Sequence, residues 1–305
     1  MAVHDVSFRA MTAADIDGGL RLTRAAGWNQ LRRDWEMFLQ RSPAGCYVAE
    51  KAGIIVGTAA TIRYQEHFSW IGMVLVDPAE RGRGIGWQLI RRVVEDLASE
   101  NCIRLDATPA GESLYRRFDF RRECGIIRMQ AEPPSGPRSR EPDHQTMEGA
   151  PAPVTSLSLA PGSGARPIVE DDLPVISRLD SEVFGADRAF LLRWVWQGAP
   201  EYGWAVEGLT GLEAYIFGRH GYDFEHLGPI VAPSGRLARE LVAACLPAVS
   251  GRPVIIDAKD EPAWLSSLSA LGFREQRRFV RMFLGEEVRP ARTTAQWGFL
   301  GPEFG

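Results

Sequence analysis

The sequence predicts a mixed α/β fold, an α+β mixed sheet with helices, present as two tandem copies of which the second is degenerate. Three observations predict it. Apolar strands of hairpin type lead into a glycine-rich turn and an amphipathic helix between Cys46 and Leu97. A segment over 131–165 is rich in Pro, Ser and Gly and poor in aromatic and β-branched residues, as a linker is. The stretches on either side of it repeat the same succession of features.

The first stretch begins FRAMTAADIDGGLRL and the second ARPIVEDDLPVISRL: a basic strand, an acidic turn, then a helix with apolar periodicity. A tryptophan-containing helix follows in each, around Trp35 and around Trp194 and Trp196. In the first copy, Cys46 to Glu50 and Ile54 to Arg63 pattern as paired strands, and Trp70 to Val76 as a buried third strand that stops at Asp77-Pro78, because proline cannot donate to a sheet ladder. After the glycine turn, Ile85, Leu89, Ile90, Val93, Val94 and Leu97 recur at helical spacing. Ile103 to Ala107 gives another strand, Glu112 to Phe118 a short helix and Ile126 to Met129 a closing strand. Near the ends of the copies, YRRFDF (Tyr115 to Phe120) matches LSALGF (Leu268 to Phe273), each followed by a strand-like run. The expected boundaries are 1–130, a linker over 131–165, and 166–305 with a tail.

The length, 305 residues, exceeds what one hydrophobic core usually serves, which agrees with two domains. No apolar run reaches the ~20 residues of a membrane helix. The first residues carry neither the basic nor the apolar region of a secretory signal, so no membrane association and a cytoplasmic location are expected. Cys46, Cys102, Cys124 and Cys245 lack the spacing of a zinc site, a redox motif or a disulfide framework; reduced thiols and no metal are expected. The net charge of -4 argues against a broad nucleic-acid face, and no nucleic-acid partner is expected. Arg81, Arg83, Arg91 and Arg92 nevertheless cluster, which suits a compact anion.

That cluster includes the run Arg81, Gly82, Arg83, Gly84, Ile85 and Gly86, at a strand-to-helix passage. Glycines there let main-chain N–H groups approach an anion, and the first turn of a helix supplies unpaired N–H groups and positive dipole. A tight turn alone also explains glycines in such a place. The run is neither a P-loop, which needs a Lys-Ser/Thr pair, nor a dinucleotide fingerprint, which follows the first strand of a parallel unit.

With R-x-x-G-x-G as Arg81, Gly84 and Gly86 after three strands, and LYRRFDF in the place of L-Y-x-x-x-G-F, the chain resembles the GNAT superfamily of N-acyltransferases. It looks closer to a bacterial subgroup that joins an active GNAT domain to a diverged one. The resemblance covers residues 6–130 well and 166–285 more weakly. Asp119 departs from the usual glycine, and Thr108 stands where many members have asparagine.

The resemblance implies acetyl-CoA as cosubstrate and an amine as acceptor. The strand Met73, Val74, Leu75 and Val76, splayed from its neighbour as in the family, is expected to offer N–H groups to the thioester and pantetheine; Arg81 to Gly86 and Thr108 complete the cofactor set. Tyr115, with an unperturbed pKa of ~10 against ~8.5 for a thiol, is expected to protonate the departing sulfur; the alternative is a core tyrosine with a satisfied hydroxyl. Glu66, with His67, lies where family members often place a carboxylate base, and equally reads as a solvated hairpin turn. Trp28 and Asn29 fall in the loop that commonly lines the acceptor pocket, although Trp28 also suits a staple on the following helix.

The second copy retains no G-x-G after HLGPIVAP, and Leu268 replaces the tyrosine, so it is expected neither to bind CoA tightly nor to catalyse. Arg219, His220 and Tyr222 read either as a ligand face or as a hairpin turn, and the apolar tail Trp297 to Gly305 as a docked segment. The expected activity is N-acetylation of a small amine by direct attack in a ternary complex, in a monomer or homodimer. A protein N-terminus or lysine as acceptor, and a non-catalytic CoA-responsive regulator, are the competing readings.

Overall fold

The computed structural model describes residues 5–65, 68–132, 164–209, 211–249 and 251–305. The first half runs β1 (Ser7–Ala10), α1 (Ile16–Ala25), α2 (Arg32–Arg41), β2 (Tyr47–Lys51), β3 (Ile54–Gln65), β4 (Phe68–Val76), α3 (Ile85–Asp96), β5 (Cys102–Ala107), α4 (Pro109–Arg116) and β6 (Arg121–Ala131). The second runs β7 (Ala165–Pro167), α5 (Leu173–Phe184), α6 (Ala189–Gly198), β8 (Trp204–Gly208), β9 (Gly211–Arg219), β10 (Glu225–Val231), α7 (Gly235–Cys245), β11 (Val254–Lys259), α8 (Pro262–Ala270), β12 (Arg274–Gly285) and β13 (Gln296–Phe299). Two mixed α/β repeats in tandem are therefore present.

Each half opens on the same device. Arg9, on β1, grips Asp15 through two nitrogens at 2.7 Å, and the Thr12 main-chain N–H donates to that carboxylate at 2.8 Å. Arg166, on β7, grips Asp172 at 2.7 and 2.8 Å, and the Val169 N–H donates to it at 2.9 Å. An acidic residue five positions after a strand thus fixes how the chain enters α1 and α5. The turns that end α4 and α8 also match: Phe120 N–H donates to the Tyr115 carbonyl at 3.3 Å and Phe273 N–H to the Leu268 carbonyl at 3.1 Å. Such a turn needs one residue in the left-handed region. Gly272 supplies it in the second half at φ 92°, and Asp119 in the first at φ 63°.

Asp119 therefore takes the backbone conformation of the glycine it replaces, at the steric cost of its Cβ. Asp119→Gly should stabilise the protein by about 1 kcal/mol. A urea midpoint that stays level or falls would mean that the aspartate contributes more than its strain costs.

The strands form one sheet, in the order β1-β2-β3-β4-β5-β12-β6-β11-β13-β10-β9-β8-β7 among the described residues. The closing strand of the first repeat behaves differently from its sequence reading. β6 is longer than Ile126 to Met129, and it does not pair with β5: it lies between β12 and β11, antiparallel to both, with Ile126 opposite Lys259 on β11. β12 takes the place beside β5, with Val280 opposite Ala107. The halves thus exchange their last long strands, which covers two edges that would otherwise be open to pairing.

Alternation along the strands feeds opposite faces of this sheet. On one face Val48, Ile62, Trp70 and Met73 join Trp35 and Phe38 of α2 and Leu191 of α6 in a core shared by both halves. On the other, Ala49, Ile71, Ile103 and Leu105 pack under Leu89, Ile90 and Val93 of α3. A separate core lies under α7 and α8, around Leu241, Trp264 and Leu268.

Candidate active site

The start of α3 is built to leave donors free. Gly84 caps the helix at φ 86° and ψ 2°, a left-handed geometry that costs an L-residue roughly 1–2 kcal/mol. The Gln88 N–H is the first to bond within the helix, reaching the Gly84 carbonyl at 3.0 Å. The amides before it point out of the helix start without intrahelical acceptors, at the positive end of the dipole. A Cβ placed on Gly86 would only touch Val76 and Leu114, each at 3.5 Å, so the protein's own packing does not demand glycine there. The missing side chain leaves the helix start unobstructed. Arg81 turns its Nε to the Val76 carbonyl at 3.2 Å, leaving the rest of its guanidinium outward, whereas Arg83 pairs with Glu80 at 3.0 Å. Of the two arginines, Arg81 carries the less compensated charge.

β4 leads into this turn and parts from β5 as it does so. The parallel pairing covers Phe68 with Cys102, Ser69 with Ile103 and Trp70 with Arg104. Beyond Trp70 no β5 partner is paired to β4, and a wedge opens. The register against β3 shifts in the same stretch, between Thr58 and Ala60, and Met73 adopts φ 53°. Thr58 Oγ1 fixes this bulge by donating to the Met73 carbonyl at 2.8 Å. A bulge re-aims the main chain, and Met73 and Leu75 bury their side chains while Val74 and Val76 are half-buried. The part of this strand available to a ligand is therefore largely backbone.

Tyr115 sits near the end of α4, one residue after Leu114, whose side chain would stand 3.5 Å from a Cβ on Gly86. Its ring is buried in the core below α3 and meets Phe120 edge-on, with centroids 6.0 Å apart. The hydroxyl makes no hydrogen bond among the described residues, unlike the buried hydroxyl of Tyr64, which donates to the Phe304 carbonyl at 2.6 Å. Burial pushes the Tyr115 pKa up, so the hydroxyl keeps its proton throughout the neutral range. Thr108 caps α4 by accepting the Gly111 N–H at 3.2 Å, which commits its hydroxyl to the helix that carries Tyr115.

A small pocket with both apolar and charged walls lies by the ends of these elements, where the loop after α1 meets β5, the β6–β12 pair and the tail; Trp28, Asn29, Asp106 and Thr108 are among its walls. Of the two residues expected to meet an acceptor, Asn29 is largely spent on the fold: Oδ1 accepts the N–H groups of Asp223 and Phe224 at 2.9 and 3.0 Å, and Nδ2 donates to the Phe224 carbonyl at 2.9 Å. It ties the first half to the β9–β10 turn. Trp28 packs half-buried against the shared core while also facing the pocket. Glu66 and His67 lie outside the described residues.

The stretch around Arg219 is engaged within the protein, with Arg219 buried and Tyr222 at the surface. Arg219 pairs with Asp34 at 3.1 Å and with Glu303, all three buried. His220 bridges Glu225 at 2.7 Å and Glu201 at 3.1 Å, and Arg24 stacks on the Tyr222 ring at 3.4 Å. The tail docks as expected from its apolar character, and deeply. Phe304 stacks on Phe38 with centroids 5.2 Å apart, Trp70 Nε1 donates to the Pro302 carbonyl at 2.9 Å, and Arg188 donates to the Gly305 carbonyl at 2.7 Å. Gly72 of β4 admits it, since a Cβ there would stand 2.7 Å from the Glu303 carbonyl oxygen. The tail's carboxylate, Glu303, and Arg277 of β12 both reach the pocket, and the sequence reading missed both.

In the second half the corresponding wedge is filled. β10 and β11 pair in parallel only at Glu225–Val254 and His226–Ile255, and β13 then enters between them, pairing with Ile230 and Val231 on one side and with Asp257 and Ala258 on the other. At the start of α7, the Ser234 hydroxyl accepts the Leu237 N–H at 3.4 Å, and the Trp297 ring would stand 3.2 Å from a Cβ on Gly235. Among the described residues, no His, Cys, Asp and Glu cluster could hold a metal ion, and no helix is long and apolar enough to cross a membrane.

Comparison with known proteins gives one family twice. Residues 20–120 match the acetyltransferase (GNAT) family, and residues 176–298 match an acetyltransferase (GNAT) domain. The chain is 23% identical to a holothin acyltransferase from Pseudoalteromonas sp. (strain SANK 73390), over 86% of this chain and 82% of that protein. It is 24% identical to the uncharacterized N-acetyltransferase YitH from Bacillus subtilis (strain 168), over 85% of each. A crystal structure of a putative acetyltransferase from Pyrococcus horikoshii has the same fold, with a TM-score of 0.73 at 21% identity, covering 100% of this chain and 98% of that one. A tandem GNAT protein from the clavulanic acid biosynthesis pathway matches with a TM-score of 0.57 at 18% identity, over 92% of this chain and 99% of that one.

Proposed function

Because the chain belongs to the GNAT acetyltransferases, as two GNAT domains in tandem, and is an acyltransferase, we propose that its first half binds acetyl-CoA and transfers the acetyl group to the primary amine of a small molecule within a ternary complex. The observation that carries the reading is the wedge between β4 and β5, with the unpaired amides of α3 following β4 at its open end. Acetyl-CoA, when bound, supplies a thioester whose carbonyl carbon accepts the amine nitrogen as its carbon–sulfur bond breaks.

The chain's residues divide the remaining work. The amides from Gly84 onward and Arg81 hold the diphosphate, and the bulged backbone from Met73 to Val76 orients the pantetheine and donates to the carbonyl oxygen as negative charge develops there. The Tyr115 hydroxyl gives its proton to the leaving sulfur, the attacking nitrogen gives up one of its own to solvent, and solvent returns a proton to the tyrosine. Thr108 acts by capping the helix that presents Tyr115. The boundaries 1–130, 131–165 and 166–305 describe the repeats along the chain, and the second repeat contributes β12 and the tail to the first repeat's site. The tail, docked on β4 at Gly72, adds Pro302 and Glu303 to the pocket wall, which supports a small molecule over an extended peptide.

Release of free CoA thiol from acetyl-CoA, followed with a panel of small amines and of peptides, tests the reading. Amine-dependent release with small molecules is expected. Release with peptides alone, or hydrolysis that no amine accelerates, would contradict it.

A further inference from the structure

The pocket beside Thr108 carries polar groups that the protein leaves incompletely matched at two places. At one, Glu303 and Gln30, exposed to 2% and 5%, line the pocket side by side, the Gln30 amide near enough to favour the Glu303 charge, and neither Glu303 Oε2 nor Gln30 Oε1 has a well-formed hydrogen bond. The other carboxylate oxygen of Glu303 accepts from Arg219. Burial opposes ionisation of Glu303, but the Arg219 charge outweighs it and holds the carboxyl below its usual range. A buried acceptor left unmatched costs about 1–3 kcal/mol, and more when charged. A donor-only cation with several N–H groups, as an ammonium is, would satisfy both oxygens.

At the other place, Arg277 on β12 stands opposite Arg128 on β6. Like charges directly across a strand pair destabilise it. Arg128 is compensated by a two-pronged pair with Asp257 at 2.7 and 2.8 Å. Asp106, also at the pocket, is taken by Arg281 at 2.8 and 2.9 Å. His226, buried and pushed down to about 3 by burial, is neutral and adds no charge. Arg277 is half-buried, faces the pocket and makes no ion pair among the described residues. A guanidinium of this kind matches a carboxylate through two parallel N–H bonds.

We infer that the pocket is a receptor for a zwitterion: an acceptor whose primary amine is held by Glu303 and Gln30 and which carries a carboxylate seated on Arg277. Amino acids and amines of that pattern are the substrate class. The inference rests on the acetyl-transfer reading and narrows it, and it makes the tail and β12 part of the acceptor site.

The test compares matched acceptors in the full-length protein: L-phenylalanine against phenethylamine, and L-alanine against ethylamine. Calorimetry with acetyl-CoA, run separately, keeps the two readings distinguishable. The carboxylate-bearing partner of each pair should show roughly a tenfold to a hundredfold higher kcat/KM. Arg277→Ala, whose side chain has no ion pair to lose, should collapse that preference towards one. Glu303→Gln should raise KM for both members of a pair alike, by roughly tenfold or more. Acetyl-CoA binding with equal or better turnover of the plain amines, or an Arg277→Ala variant that keeps the wild-type preference, would overturn the zwitterion assignment and leave the transfer reading standing. Absence of acetyl-CoA binding would overturn both.

Discussion

Tyr115→Phe should lower kcat by about 10²-fold or more while leaving acetyl-CoA affinity unchanged. The argument is steric and electrostatic together. The ring fills core volume against Phe120, and phenylalanine fills the same volume, so the substitution removes an oxygen and little else. That oxygen bonds to nothing among the described residues, so its loss orphans no neighbour. What disappears is a proton donor that burial keeps protonated across the neutral range. Because the proton moves only as the carbon–sulfur bond breaks, the loss falls on kcat, with KM for acetyl-CoA little affected. Thioesters with a more acidic leaving thiol should recover part of the lost rate, since they depend less on protonation. Full activity in the variant, or a loss confined to KM, would remove Tyr115 from the chemistry.

Gly84→Glu should abolish measurable acetyl-CoA binding. Two effects combine at this residue. Any L-residue pays roughly 1–2 kcal/mol to hold φ 86°, and a carboxylate there would accept the free amides of α3 in place of a diphosphate and repel it as well. Gly84→Ala separates the two, since it carries the backbone cost without the charge. The alanine variant should unfold at lower urea concentration but still bind, while the glutamate variant, equally folded by circular dichroism, should give no heat with the ligand. Wild-type affinity in the glutamate variant would place the diphosphate elsewhere.

The sequence made the duplication legible because the devices that set each repeat are local and polar. Arg9 with Asp15 and Arg166 with Asp172 lie six residues apart in both copies, and the turns at Asp119 and Gly272 close helices of like length. The glycine turn was legible for the same reason: strand, turn and helix are consecutive. The strand exchange was not, because the alternation in β6 and β12 satisfies either neighbour equally, and nothing local selects between β5 and β11. The pocket beside Thr108 was the least legible part. Its charged walls come from the loop after α1, from β5, from the exchanged strands and from the tail, so Gln30, Asp106, Arg277 and Glu303 meet only once the exchange has occurred. An acidic residue within an otherwise apolar tail was the one local hint, and Glu303 is where it pointed. Arg219 and His220 were visible as a polar stretch, but ion pairs with Asp34 and Glu303 and with Glu201 and Glu225 occupy them.

Amide hydrogen exchange read by mass spectrometry, with and without saturating acetyl-CoA, bears most directly on the account. Peptides spanning Arg81 to Ile90 should gain protection on binding, while those spanning Ser234 to Val242, at the start of the matching helix in the second half, should exchange as before. Binding that protects the second segment, or that leaves the first unchanged, would contradict the assignment of the diphosphate to the bared amides of α3.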